Sequence, residues 1–189
     1  MKKFLLIAAV AMIFSNLANS QNSYALDKYH AQLSFSVLHM GISFVDGNFK
    51  DIDGKLVSSK EDFSVAQIEL TADVKSINTE VEMRDNDLRE KWFEVAKFPS
   101  LTYKSTSFAK VSGNNYKLSG NITLHGVTKP IVFDVVYNGM AQSPFNKKYS
   151  YGFTISGRLK RSDFGVGAEA VATVANEVEL KSNVEFVAN

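Results

Sequence analysis

The chain has 189 residues, 45% of them hydrophobic, enough for one domain with a substantial core and too few for two of ordinary size. Its 21 Lys and Arg balance 20 Asp and Glu, so the basic excess of a nucleic-acid binder is missing and no nucleic acid is expected as a partner. It contains no Cys, which excludes disulfides, thiol nucleophiles and cysteine metal sites.

Residues 1–20 read as an export signal. Lys2 and Lys3 form a positive start, and Phe4 to Phe14 is an unbroken apolar run. That run is shorter than the roughly 20 apolar residues that span a bilayer, so no stable membrane insertion is expected. Ala18-Asn19-Ser20 offers small residues at both positions a signal peptidase reads. Cleavage is expected between Ser20 and Gln21, with a periplasmic or secreted destination and a mature domain over residues 21–189.

The mature region alternates apolar and polar residues, the pattern of half-buried strands. In chain order the runs are Leu33 to Val37, Ala66 to Val74, Tyr116 to Leu124, Tyr149 to Ile155 and Val178 to Phe186. Two runs are less clean. Ile131 to Tyr137 is apolar on both faces, and between Phe49 and Leu56 the parity shifts, which predicts a β-bulge near Lys50 or Asp51. Turn signals stand at Asp53-Gly54, Gly113-Asn114-Asn115, Gly126 and Asn138-Gly139. One helix is marked: Thr79 and Glu82 form a T-x-x-E capping box with Thr79 as N-cap, and Val81, Arg84, Leu88 and Trp92 recur at helical spacing. It is expected between the fourth and fifth strands and to end near Lys91, ahead of Pro99.

Long strands with one apolar face must pair with a second sheet or close on themselves. Small residues on the inward face (Ala66, Ala72, Gly120, Gly157, Ser182) either leave a tunnel or interlock with rings from opposite strands, and the pattern leaves both open.

Specific motifs narrow the choice. Tyr24-Ala25-Leu26-Asp27, His30, and Leu33 to Gly41 (LSFSVLHMG) resemble the start of a YceI-like domain. Val45-Asp46-Gly47-Asn48-Phe49, Ser76-Ile77-Asn78-Thr79, Met83-Arg84-Asp85 and Phe93 to Pro99 continue the resemblance. Leu118 to Pro130 (LSGNITLHGVTKP) is the most distinctive match, and Arg161-Ser162-Asp163-Phe164-Gly165 and Glu177-Val178-Glu179-Leu180 close it. Ala31 departs from the Ser common in the family. The resemblance implies an all-β, eight-stranded antiparallel lipocalin-like β-barrel with one helical insertion and an apolar internal cavity. It also implies an exported protein that holds a polyisoprenoid, an isoprenoid quinone or a fatty-acid-like lipid and needs no other cofactor. A homodimer is compatible with the family.

Such a wall needs aromatic and aliphatic side chains without unpaired polar atoms. Phe35, Val37, Ile68, Leu70, Leu88, Tyr103, Leu118, Ile122, Phe133, Phe153, Ile155, Phe164, Val184 and Phe186 are the candidate lining. Arg84 lies on the apolar stripe of the helix, and with His39 is a candidate for a lipid head group; pairing with Glu80 or Asp85 is the alternative. Arg158, Lys160 and Arg161 read as a solvated strand end. His30, His39 and His125 show no ligand spacing, so no metal is expected. No nucleophile elbow, P-loop or dinucleotide fingerprint is present, and Asp51 and Asp53 read as solvated acids. A lipid carrier or reservoir is the leading expectation; a barrel acting through its surface and an enzyme of isoprenoid lipids are the rivals.

Overall fold

A computed structural model describes residues 21–170 and 172–189; the expected export signal lies outside the described residues. The strands are β1 Asn22–Leu26, β2 Gln32–His39, β3 Ser43–Phe49, β4 Ile52–Ser58, β5 Gln67–Asp73, β6 Ile77–Asn78, β7 Ser100–Ser112, β8 Asn115–Leu124, β9 Val127–Gln142, β10 Tyr149–Lys160 and β11 Val174–Ala188. These eleven pieces make eight staves. β1 and β2 are one stave, broken by a 3-10 turn at Lys28–His30. β3 and β4 are the second and β5 with β6 the third. Every pairing is antiparallel, and β11 closes the ring against both β1 and β2.

Alternation positions the core. Along β8 the even-numbered residues Tyr116, Leu118, Gly120, Ile122 and Leu124 are all buried, while Lys117 and Asn121 face water. Between β3 and β4 both Phe49 and Ile52 are buried, so the two residues between them reset the register. Lys50 N donates to Ser76 O and Asp51 N to Ser76 Oγ, which satisfies the interrupted ladder. The shift in parity thus marks a stave interruption rather than a simple bulge.

Two expected turns lie inside strands. Gly54 belongs to β4, where a Cβ would stand 2.5 Å from Leu70 Cδ2 and 2.8 Å from Glu69 O; the glycine serves a close approach. Gly139 belongs to β9 at φ +118°, facing Gly152 where the β9–β10 register shifts.

The helix also differs from its signals. α1 spans Glu82–Asp87, continues as a π-helical turn at Leu88–Trp92, and lies between the third and fourth staves rather than the fourth and fifth. Val81, not Thr79, occupies the N-cap position, without a side-chain bond. Thr79 N and Oγ1 instead donate to Asp85 Oδ1 at 2.8 and 2.6 Å. The acid that answers Thr79 is therefore one turn deeper than Glu82, and Asp85 is buried in the process.

Candidate functional site: a lidded mouth and the barrel interior

The segment from Thr79 to Trp92 lies across one end of the barrel. Arg84 Nε donates to Thr79 Oγ1 at 2.7 Å and Nη2 to Thr79 O at 2.8 Å. Arg89 reaches back to Lys75 O and Ile77 O, both at 2.9 Å. At the far end, His125 Nε2 lies 3.2 Å from Glu94 Oε2 and its Nδ1 lies 3.0 Å from Phe164 O. Lys97 and His125 both help hold the Glu94 carboxyl below its usual range, Lys97 more strongly. Glu80 and Glu94 flank the lid with φ of +61° and +44°.

Beneath the lid is a mouth pocket of about 300 Å³, bounded by Phe35, Val37, His39, Val45, Thr79, Met83, Arg84, Asp87, Leu88, Trp92 and Val174. That volume sits at the lower end of the range for small-molecule sites. A smaller cavity of about 80 Å³ follows, sharing Phe35, Val37, Leu88, Trp92 and Val174 with the mouth and adding Phe49, Phe93, Leu101, Leu124, Leu159, Arg161, Val166, Val178 and Leu180. A third, of about 50 Å³, shares Phe49, Leu101 and Leu180 and is bounded by Leu33, Leu70, Tyr103, Leu118, Ile122, Phe133, Ile155, Lys181 and Ser182. Shared walls place the three in series from the lid inward. Burial pushes the Tyr103 phenol well above its ordinary pKa, so it stays neutral, 3.3 Å from Leu118 O.

The candidate lining therefore divides. Phe35, Val37 and Leu88 border the outer cavities, and Leu70, Tyr103, Leu118, Ile122, Phe133 and Ile155 the inner one. Ile68, Phe153, Val184 and Phe186 border none of the three. They are at most 2% exposed and packed in a solid layer beyond the last cavity: Ile68, Phe153 and Val184 each lie one inward step past a lining residue on their own strand, and Phe186 lies one step past Val184. Phe164 borders a separate outer depression with Lys129, Pro130 and Asp163. A continuous tunnel is absent among the described residues: a Cβ on Gly120 would meet the Tyr103 hydroxyl at 2.5 Å, and one on Gly157 would meet Phe133 Cδ1 at 2.5 Å. Those small residues receive neighbouring rings. Beyond the solid layer, Phe63 fills the opposite end with Tyr24, Tyr137 and Tyr151.

Arg84 and His39 both border the mouth. The alternative pairing of Arg84 with Glu80 or Asp85 is replaced by its two bonds to Thr79. Arg161 is not a solvated strand end. It is 3% exposed, donates to the carbonyls of Ala175, Val166, Gly167 and Val174, and lies 5.4 Å from the Trp92 ring. Burial lowers its pKa, and the carbonyl cage compensates the charge. Arg158 is solvated and pairs with Glu177 and Glu179. His30 pairs with Asp27 at 2.9 Å, and Glu185 brings a third donor atom within 4.8 Å, a proximity the spacing conceals.

Trp92, Phe93, Leu101, Leu124 and Leu180 were not anticipated as lining. Trp92 had its signal on the helical stripe of Val81 and Leu88; the others gain their place only from barrel closure. A larger groove, about 820 Å³, is bounded mostly by polar, outward-facing residues of β9, β10, β11, β2 and β3, and touches the interior wall only at Phe35, Leu180 and Lys181.

The sequence profile of the YceI-like domain matches residues 24–186. Proteins named YceI from Salmonella arizonae and Salmonella dublin are 35% identical, with 99% of this chain and 98% of theirs aligned. Among solved structures, a Campylobacter jejuni YceI protein is 30% identical with a TM-score of 0.70, over 77% of this chain and 86% of that one. BcnA of Burkholderia cenocepacia superposes with a TM-score of 0.74 at 23% identity, covering 85% of this chain and 98% of that one. A Saccharophagus degradans domain described as polyisoprenoid-binding has a TM-score of 0.66 at 17% identity, covering 88% and 98%. These last two likenesses establish the shared barrel.

Proposed function

The chain belongs to the YceI-like family, and from that premise we propose that it is an exported, non-catalytic carrier or reservoir for a long-chain isoprenoid or similar amphiphile. The carrying observation is the mouth pocket under the lid, whose apolar walls continue through shared residues into the barrel. An apolar chain entering there leaves water at a gain of roughly 25 cal/mol per Å² buried. Its polar end remains at the rim, beside Arg84 and His39, where a guanidinium suits an anionic or quinone head group. The polyisoprenoid description of the Saccharophagus degradans domain supports this ligand class. The charged start and apolar run of residues 1–20 support export to the periplasm or beyond.

Native mass spectrometry of the protein purified from its own cell envelope, followed by lipid extraction, tests the reading. A stoichiometric amphiphile is the expected result; protein that leaves the envelope free of lipid and takes up none overturns it. Arg84→Ala is expected to weaken an anionic prenyl lipid more than a neutral prenol of equal length. Equal affinities for both, unchanged from wild type, remove Arg84 from the head-group role.

A further inference from the structure

The series of cavities ends abruptly, and the residues that end it are of two kinds. Below Ile155 and Ser182, which border the innermost cavity, the next inward positions on the same strands are Phe153 and Val184. Phe153 is fully buried and stands on a central strand, paired with Val184 on one side and Tyr137 on the other. Its backbone is held by both ladders, and its ring forms the floor of the series. Behind it lies Phe63, with ring centroids 5.4 Å apart and planes at 83°.

Phe63 differs in how it is held. It comes from the loop between β4 and β5, not from a strand, yet it is only 1% exposed. Its ring is 5.8 Å from Tyr24, 5.7 Å from Tyr137 and 5.3 Å from Tyr151. Its backbone takes a φ of +57°, where a bulky residue rarely rests. The loop is fastened by two local backbone bonds, Phe63 N to Lys60 O and Ala66 N to Phe63 O, and by one side-chain tie to the barrel, Tyr116 Oη of β8 to Asp62 O. Withdrawing Phe63 therefore breaks no strand ladder, whereas withdrawing Phe153 would break two.

We propose that Phe153 and Phe63 together gauge the length of the chain the barrel accepts, Phe153 as floor and Phe63 as a removable stopper behind it. This rests on the reading of the barrel as a carrier. A prenyl or acyl tail enters apolar end first and stops on the Phe153 ring. A longer tail needs Phe153 to turn into the space Phe63 occupies, and so needs the loop to lift. Removing the Phe63 ring lets the tail run on toward Tyr24, Tyr137 and Tyr151.

The probe is a graded series of ubiquinones differing only in the number of isoprene units, titrated against the full mature chain. Quenching of Trp92, the single tryptophan and a residue of the mouth, reports binding. In the wild type, affinity is expected to rise with each unit up to a cut-off and then to level or fall. Phe63→Ala should move the cut-off to longer chains and tighten the longest probes by about tenfold or more. Short probes, which stop above Phe153, should bind as before. Ser182→Leu narrows the innermost cavity from the other side and should move the cut-off to shorter chains, an arm that stands even if Phe63→Ala folds poorly. Cut-offs unmoved in both variants overturn the gauge and leave the carrier reading standing. A wild type that binds no member of the series overturns both.

Discussion

Asp27 and His30 bond each other across the break between β1 and β2, with Oδ2 and Nδ1 2.9 Å apart. The bond to His30 is the largest influence holding the Asp27 carboxyl below its ordinary value of 3.8. The same bond, then the charges of Asp27 and Glu185, hold the imidazole above its ordinary 6.5. A raised histidine contributes stability in full below 6.5 and loses it as pH climbs through the folded-state value. A lowered carboxyl contributes above 3.8 and loses it as pH falls through its own folded-state value. The pair therefore supports the joint most between those two ordinary values. Urea midpoints followed from about pH 6 to about pH 9 should decline in the wild type and decline less in His30→Gln. Identical slopes would mean that the pair is too well solvated to matter, as exposed ion pairs can be. The sequence showed His30 only as a histidine without ligand spacing; Glu185, 155 positions away, reaches it only through the β1–β11 closure.

The lid is the element whose sequence signals and structure diverge most. A threonine followed three residues later by glutamate is a sound cap signal, yet the buried Asp85 takes both Thr79 donors and leaves Glu82 exposed. The competing principle is burial: the Thr79 donors are shut away from water, and only Asp85 is positioned to accept both. Asp85→Ala strands those donors and should cost about 2 kcal/mol. The loss should be local. Amide exchange should quicken over residues 79–93, while the β8 and β10 ladders keep their protection. A uniform quickening across all strands would show that the lid is part of one cooperative unit with the barrel. The strands themselves were legible where one face meets water, as in β5, β8 and β11. They were misread where glycine serves a close approach or a bulge, at Gly54 and Gly139, because a local pattern does not register what stands across the sheet.

At the scale of the molecule, closure by β11 against the first stave removes the open edges of the sheet and forces every inward face toward one axis. Alternation alone shows which residues turn inward, and it placed Leu70, Leu118 and Phe153 on one face. It does not show how far along that axis each one lies, and that coordinate separates the cavity wall from the solid layer beyond. The distribution has a thermodynamic consequence. One half of the barrel is a packed aromatic core; the other contains the cavities that the proposed ligand would fill. A ligand that binds only the folded form stabilises it by RT ln(1 + [L]/Kd), about 2.7 kcal/mol at a hundredfold excess over Kd. For a domain of this length each kcal/mol shifts Tm by about 2–4 °C, so a saturating prenyl lipid should raise Tm by about 5–11 °C over delipidated protein. The shift should keep growing with the logarithm of ligand concentration, as specific filling of the folded state requires. It should shrink when Leu88 or Trp92, which wall both outer cavities, is truncated to alanine, and persist when Arg158 or Glu179 on the external groove is changed. Differential scanning calorimetry on extracted and reloaded protein reads all of these. A shift that follows the external residues instead would place the lipid outside the barrel and leave the interior cavities as packing voids.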